Sequence, residues 1–291
     1  MNISDHYSVD KSGGVEMPEI FAGKYMIMMF GRMGSGKTYI AEKLKQLFHQ
    51  YGSVEADIMS SSKYLKAEFD RLCDLMLEPS CSKWKTNTRL SFDEDFVKSV
   101  PMFRSLFDQI TYFDQMLHDN MTSAETKIRA GQLLNLIKRQ ILQIYGTEIP
   151  ILFDQPKIWI NKLLDEINEA KRQLVINDGC RFAFEINSVR HAKLIPITVL
   201  IGCSDELAIN TFIERYGSYT DFVDGKTLNH FSDVSIFGKV PSQQFDVIIP
   251  ERPDSDGIFK AFGKIVNYIN LAEAIIGELD DLNRPMGEDH G

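Results

Sequence analysis

The octapeptide Gly31-Arg32-Met33-Gly34-Ser35-Gly36-Lys37-Thr38 constrains this chain more than any other stretch. It fits G-x-x-x-x-G-K-[ST] at every fixed position and follows directly on the apolar run Tyr25-Met26-Ile27-Met28-Met29-Phe30. A buried strand aims such a loop outward, and Gly31, Gly34 and Gly36 permit the tight turn in which successive backbone N–H groups face a phosphate. Ile40, Ala41, Leu44, Leu47 and Phe48 follow at helical spacing, so the positive end of a helix points at the same anion. In that cradle Lys37 reaches the β- and γ-phosphates and the Thr38 hydroxyl ligates Mg²⁺, while Arg32, Met33 and Ser35 complete the loop. The acceptor stays open, because kinases, switches and motors share this loop.

Composition narrows the partners. The 291 residues, 44% of them apolar, suffice for an α/β core of one large domain or two small ones. A net charge of -9 speaks against wrapping a nucleic-acid backbone, yet leaves room for a local basic pocket that takes a free nucleotide. The four cysteines, Cys73, Cys81, Cys180 and Cys203, have neither C-x-x-C spacing nor a histidine at metal-ligand distance, so reduced thiols are expected. There is no basic-then-apolar leader and no run of the ~20 apolar residues that span a bilayer, so no membrane partner and a cytoplasmic location are expected.

Along the chain, residues 1–22 read as a polar, mobile leader. Val54 to Met59 suggests a short second strand. From Lys63 to Ile144 the apolar residues step at helical spacing: Leu65, Phe69, Leu72 and Met76, then Phe103, Phe107, Ile110 and Leu117, then Leu134, Ile137, Ile141 and Ile144. The polar stretch Pro79 to Asp95 reads as a loop or insertion, and Gly146-Thr147-Glu148 as an interruption of the helix pattern. A further amphipathic run opens at Trp159. Strands are expected at Leu174–Asn177, Ile195–Ile201 and Phe245–Ile249, with a helix near Leu207–Tyr216 and a last helix over Gly257–Gly277 before a frayed acidic tail, 278–291. The expected fold is a three-layer α/β domain over 23–277 with a parallel five-stranded sheet, a helical insertion over 63–172 and a lid-like segment over 215–244.

Asp178 follows a strand and would lie at the carboxyl edge of the sheet beside the loop, able to hold the Mg²⁺ hydration shell or to accept a hydrogen bond from the attacking group. Arg181 would project into the same cleft, where a guanidinium grips a phosphate at two points, and Glu185 would orient it. A surface ion pair after a strand explains these three residues equally well. Arg215, ending its helix, is placed to neutralise a transferring phosphoryl group or simply to complement the helix terminus. His230-Phe231-Ser232-Asp233 invites a hydrolase triad, but no G-x-S-x-G elbow accompanies it. A GTP switch is disfavoured: Asn161-Lys162 has Leu164 where N-K-x-D needs Asp, and Asp254-Ser255-Asp256-Gly257 falls after the last strand.

With these residues in view, the chain resembles the deoxynucleoside monophosphate kinases encoded by large bacterial viruses, a branch of the P-loop nucleoside monophosphate kinases. The resemblance runs from Gly31–Thr38 through Gln143-Ile144-Tyr145-Gly146-Thr147-Glu148 with Trp159, Asp178 with Arg181-Phe182 and Glu185, and His230-Phe231-Ser232-Asp233, to Phe245-Asp246-Val247-Ile248-Ile249. It implies a P-loop kinase fold whose helical insertion binds the acceptor, and transfer of the γ-phosphoryl group of ATP, with Mg²⁺, to a deoxynucleoside monophosphate for DNA precursor synthesis. Arg181 would bind the acceptor phosphate, Asp178 would sit on the magnesium side, and Gln143, Thr147, Glu148 and Trp159 would line the acceptor pocket. The resemblance also suggests pairing of two copies. Thr38 stands where family members often carry Asp, and the family's D-x-R spacing is stretched to Asp178-Gly179-Cys180-Arg181. Two alternatives are a P-loop kinase for another small phosphorylated acceptor and a nucleotide-binding regulatory or assembly ATPase.

Overall fold

The computed structural model describes residues 21–52, 54–77, 90–217 and 244–283. The expectations for the leader before residue 21, for Cys81, for the lid beyond Gly217, for His230 to Asp233 and for the tail after Asn283 lie outside the described residues.

Five parallel strands form one sheet in the order β2-β3-β1-β4-β5: β1 Tyr25–Phe30, β2 Asp57–Met59, β3 Leu174–Asn177, β4 Ile195–Ile201 and β5 Val247–Ile249. In the centre, Tyr25 to Met28 pairs with Leu174 to Asn177 on one side, and Tyr25 to Phe30 pairs with Ile195 to Leu200 on the other. From β1 the chain crosses to the edge at β2, returns to β3 beside β1, and then passes to β4 and β5 on the other side, so the carboxyl end of β1 lies where the strand order reverses.

β1 is fully buried and its side chains alternate between two cores. Tyr25, Ile27 and Met29 face one layer, made by α1 (Lys37–Gly52) and the final helix, α10 (Ser255–Asn283), with Phe48 edge-on to Phe262 at 5.0 Å between ring centroids. Met26, Met28 and Phe30 face the other, made by α7 (Ile158–Glu169) and α8 (Ala183–His191). A strand apolar on both faces suits a sheet covered on both sides, and α/β with three layers is what forms. The last helix continues to Asn283, past the end expected at Gly277, and its Glu273 ties down the entry to β1 by accepting from Ala22 N (2.7 Å), Gly23 N (3.0 Å) and the Tyr25 hydroxyl (2.5 Å). Asp254 of the D-x-x-G sequence caps this helix, its carboxylate accepting from Gly257 N at 2.8 Å.

Between β2 and β3 lies the helical block: α2 (Ser62–Met76), α3 (Glu94–Ser99), α4 (Pro101–His118), α5 (Ala124–Gln143), α6 (Ile149–Leu152) and α7. The stripes at Leu72, Phe103, Phe107, Ile110, Leu134, Ile137 and Ile141 merge into one separate core. A buried carboxylate is set into it. Glu68, 1% exposed, accepts from Lys162 Nζ (2.6 Å), the Tyr145 hydroxyl (2.7 Å), Ser91 N (2.9 Å) and the Ser91 hydroxyl, so a group that would be costly to bury alone is satisfied on every side.

Gly146-Thr147-Glu148 does not break the helix. The chain passes from α5 through a π-helical turn, Ile144–Glu148, directly into α6. Gly146 lies under Leu65 of α2, where an added Cβ would come 2.5 Å from Leu65 Cδ2 and the leucine side chain would have to shift. Widened turns of this kind carry functional residues more often than ordinary helix does.

Candidate functional site

The Gly31–Thr38 loop joins β1 to α1. Gly34 and Gly36 hold φ of 84° and 81°, in the left-handed region where a Cβ is strained. Gly34 is also crowded, because its Cβ would meet Thr211 Oγ1 at 2.6 Å, whereas Gly36 faces open space. The Ser35 side chain folds over Gly31 and is 5% exposed, and among the described residues its hydroxyl has no hydrogen-bond partner. Lys37 Nζ donates to the carbonyls of Gly31 (2.6 Å) and Arg32 (3.0 Å).

Two segments brace this loop. Arg32 pairs with Asp205 at the start of α9 (Asp205–Tyr216), and Met33 packs with Phe212 of α9 and Leu136 of α5. On the other side the Thr38 hydroxyl donates to Asp178 Oδ2 at 2.6 Å. Asp178 stands just past β3, so strand order places it where the sequence suggested.

The turn after Asp178 leads into a cavity of about 550 Å³. Of the expected site residues, Gln143, Thr147, Trp159, Arg181, Glu185 and Arg215 line it; Glu148 does not, being on the exposed side of the π turn. Three further cations that the sequence reading did not single out stand on its wall: Lys66 from α2, and Lys138 and Arg139 from α5. Among the described residues, they join Arg181 and Arg215 to bring five positive side chains to one cavity, against the single carboxylate of Glu185, in a chain of net charge -9. Asn135, Arg139, Gln143 and Thr147 recur every four residues, which is the one signal that could have shown a shared inward face.

Glu185 acts through the main chain. Its Oε2 accepts from Arg181 N (2.6 Å) and Phe182 N (2.8 Å), fixing the turn that carries Arg181 and covering the start of α8. Burial pushes its carboxyl up to about 7, against the opposing pull of these two N–H groups and the Arg181 charge. It is 4% exposed and next to cations, so it positions the arginine's backbone and does not itself receive a ligand.

Trp159 is 8% exposed and largely core. Its indole N–H donates to Gly146 O at 3.0 Å, and its ring sits against Tyr145 (6.0 Å) and Phe92 (6.3 Å) with the Lys162 ammonium 5.3 Å above it. It therefore supports the π turn from behind. The thiols of Cys73, Cys180 and Cys203 are free, and burial raises all three above the ordinary thiol range, so none is primed as a nucleophile.

The arrangement is chemically suited to anions on both sides of Asp178. A hard divalent cation that keeps water and phosphate oxygens as most of its ligands needs only one or two protein oxygens, and Thr38 Oγ1 with Asp178 Oδ2 supplies them. Among the described residues no group of three or more His, Cys, Asp or Glu could hold a metal by protein ligands alone. No helix among them is long and apolar enough to cross a membrane. Compared with models of protein families and with curated proteins, the sequence matches none.

Proposed function

We propose that the protein is a phosphotransferase that moves the γ-phosphoryl group of ATP to a deoxynucleoside monophosphate. The observation that carries this is the turn Asp178–Arg181: its first residue is bonded to Thr38 of the glycine-rich loop, and its last lines the cationic cavity. Two anion-seeking sites thus share one short segment. Phosphoryl transfer asks for such an arrangement, because positioning and charge neutralisation supply most of its rate.

In this reading the backbone of Gly31 to Thr38 and the Lys37 ammonium hold the triphosphate, and Arg181 holds the acceptor phosphate in line with it. An oxygen of that phosphate forms a bond to the γ-phosphorus as the bond to the β–γ bridging oxygen breaks, and ADP leaves. Arg215, reaching the cavity from the end of α9, offsets charge on the phosphoryl in transit. Mg²⁺ held at Thr38 and Asp178 would supply further neutralisation of the phosphate oxygens.

The test is a coupled assay of ADP release with ATP, Mg²⁺ and each of the four common deoxynucleoside monophosphates, against a blank without acceptor. Release that depends on an acceptor is expected. Rates equal to the blank with all four would overturn the reading and leave a nucleotide-binding regulatory protein in its place.

A further inference from the structure

The cavity has an aromatic border as well as a cationic one. Phe182 and Phe184 both border it, with rings stacked at 5.0 Å between centroids and 9° between planes, and both side chains are only partly buried. Phe182 is the residue after Arg181, and its backbone N–H is held by the same Glu185 oxygen that holds Arg181 N. Phe184 is anchored from below by the core under α7 and α8. The pair is thus a short aromatic stack in register with the arginine, whose outer face a further planar ring can extend.

Five cations and a partly exposed aromatic pair around one cavity make a joint demand on the ligand. A sugar phosphate or small phosphorylated acid answers the cations and leaves the rings in water, without the gain of covering them. An anion that carries a planar, weakly polar ring answers both. Trp159, the aromatic residue the sequence put forward for this role, is already engaged on its face by Lys162 and at its N–H by Gly146.

Building on the phosphotransferase reading, we infer that the Phe182–Phe184 pair is the platform on which the acceptor's base stacks, which makes the acceptor a nucleotide and excludes non-aromatic phosphates of the same charge. Gln143, Thr147 and Asn135, on the wall formed by α5 and the π turn, supply polar groups for the base edge. Stacking on a π face is tolerant of base identity, so this platform selects for a base, while those polar groups select among bases.

The test is calorimetric titration of the full-length protein, without ATP, with each of the four deoxynucleoside monophosphates and with 2-deoxyribose 5-phosphate, which has the phosphate and no base. The wild type is expected to bind at least one nucleotide about 10-fold or more tightly than the sugar phosphate. The double variant F182L/F184L keeps apolar volume but loses the π surfaces, and its nucleotide affinity is expected to fall by about 10-fold toward that of the sugar phosphate, whose own affinity stays within about twofold. A double variant that binds nucleotides as the wild type does, or a wild type that binds nucleotides no better than the sugar phosphate, overturns the inference. The single variant F182L, altering one partly exposed ring, is read in the same way where the double variant does not fold. Wild-type nucleotide binding without turnover would defeat the transferase reading alone. Turnover with an unchanged acceptor KM in the leucine variant would defeat the platform alone.

Discussion

The two walls of the candidate site are built on different principles. On the sheet side, a contiguous loop places backbone groups, and its features are conformational: positive φ at Gly34 and Gly36, a serine folded over Gly31, and a lysine on its own loop carbonyls. On the helical side, the wall is assembled from side chains of α2, α5, α7, α8 and α9, which come from widely separated parts of the chain. The first wall is specified locally and the second by tertiary packing. A single substitution on the sheet side should therefore act on chemistry with the fold intact, whereas on the helical side the supporting core should fail first.

Lys37→Ala gives the largest effect expected. Removing one preorganised positive group from a transferring phosphoryl should lower ADP formation by about 10³-fold. The part-buried ammonium donates to the carbonyls of Gly31 and Arg32 on its own loop, so the thermal midpoint should move by no more than about 2–4 °C. Normal turnover would take the loop out of the chemistry altogether.

Glu68→Ala tests the opposite wall. It strips the acceptor from Tyr145, Ser91 and Lys162 at once, and breaking a buried charge pair by removing one member is strongly destabilising. Because the Lys162 side chain is still 36% exposed, part of that cost is relieved by water, and a loss of about 2–3 kcal/mol in urea unfolding is expected. A loss under about 0.5 kcal/mol would mean that the helical wall does not depend on this network.

The same division governs how far the sequence could be read. β1, its loop and α1 are adjacent in the chain, so motif and periodicity identify them together, and the apolar runs at Leu174, Ile195 and Val247 identify their strands by the same logic. The short β2 was a weaker signal, with three residues and only partial burial. Gly146 reads as a helix breaker in one dimension, yet in the fold it lets Leu65 approach a continuous π turn. Lys66, Lys138 and Arg139 read as the solvated side of amphipathic helices. They become a cavity wall only because α8 and α9 arrive opposite them from much later in the sequence. Residue spacing ties Glu185 to Arg181, and in the fold the contact runs through the backbone N–H groups of Arg181 and Phe182, a distinction that spacing does not carry.

Within the loop, conformation and crowding can be separated. Gly34→Ala should cost about 2 kcal/mol and weaken ATP binding, because the added methyl both strains a φ of 84° and meets Thr211 Oγ1. Gly36→Ala carries nearly the same φ with open space around the new methyl and should cost about 1 kcal/mol. Equal losses in urea unfolding would show that α9 yields easily at Thr211 and does not brace the loop.

Glu185 lies where the walls meet, and its titration gives the smallest effect. Its folded-state carboxyl is pushed up to about 7, above the ordinary 4.5, so between those values the folded protein holds a proton that the unfolded chain has released. The sign follows from linkage: the stability this group contributes is fully present below about pH 4.5 and is lost as pH rises through about 7. Glu185→Gln keeps an oxygen to accept from Arg181 N and Phe182 N and removes the titration. Urea unfolding at pH 5, 6 and 7 should therefore show the wild type losing roughly 1–2 kcal/mol relative to the glutamine variant over that range. Parallel pH curves for the two proteins would mean that the buried carboxyl ionises at its ordinary value, and that the cations around the cavity outweigh burial at this position.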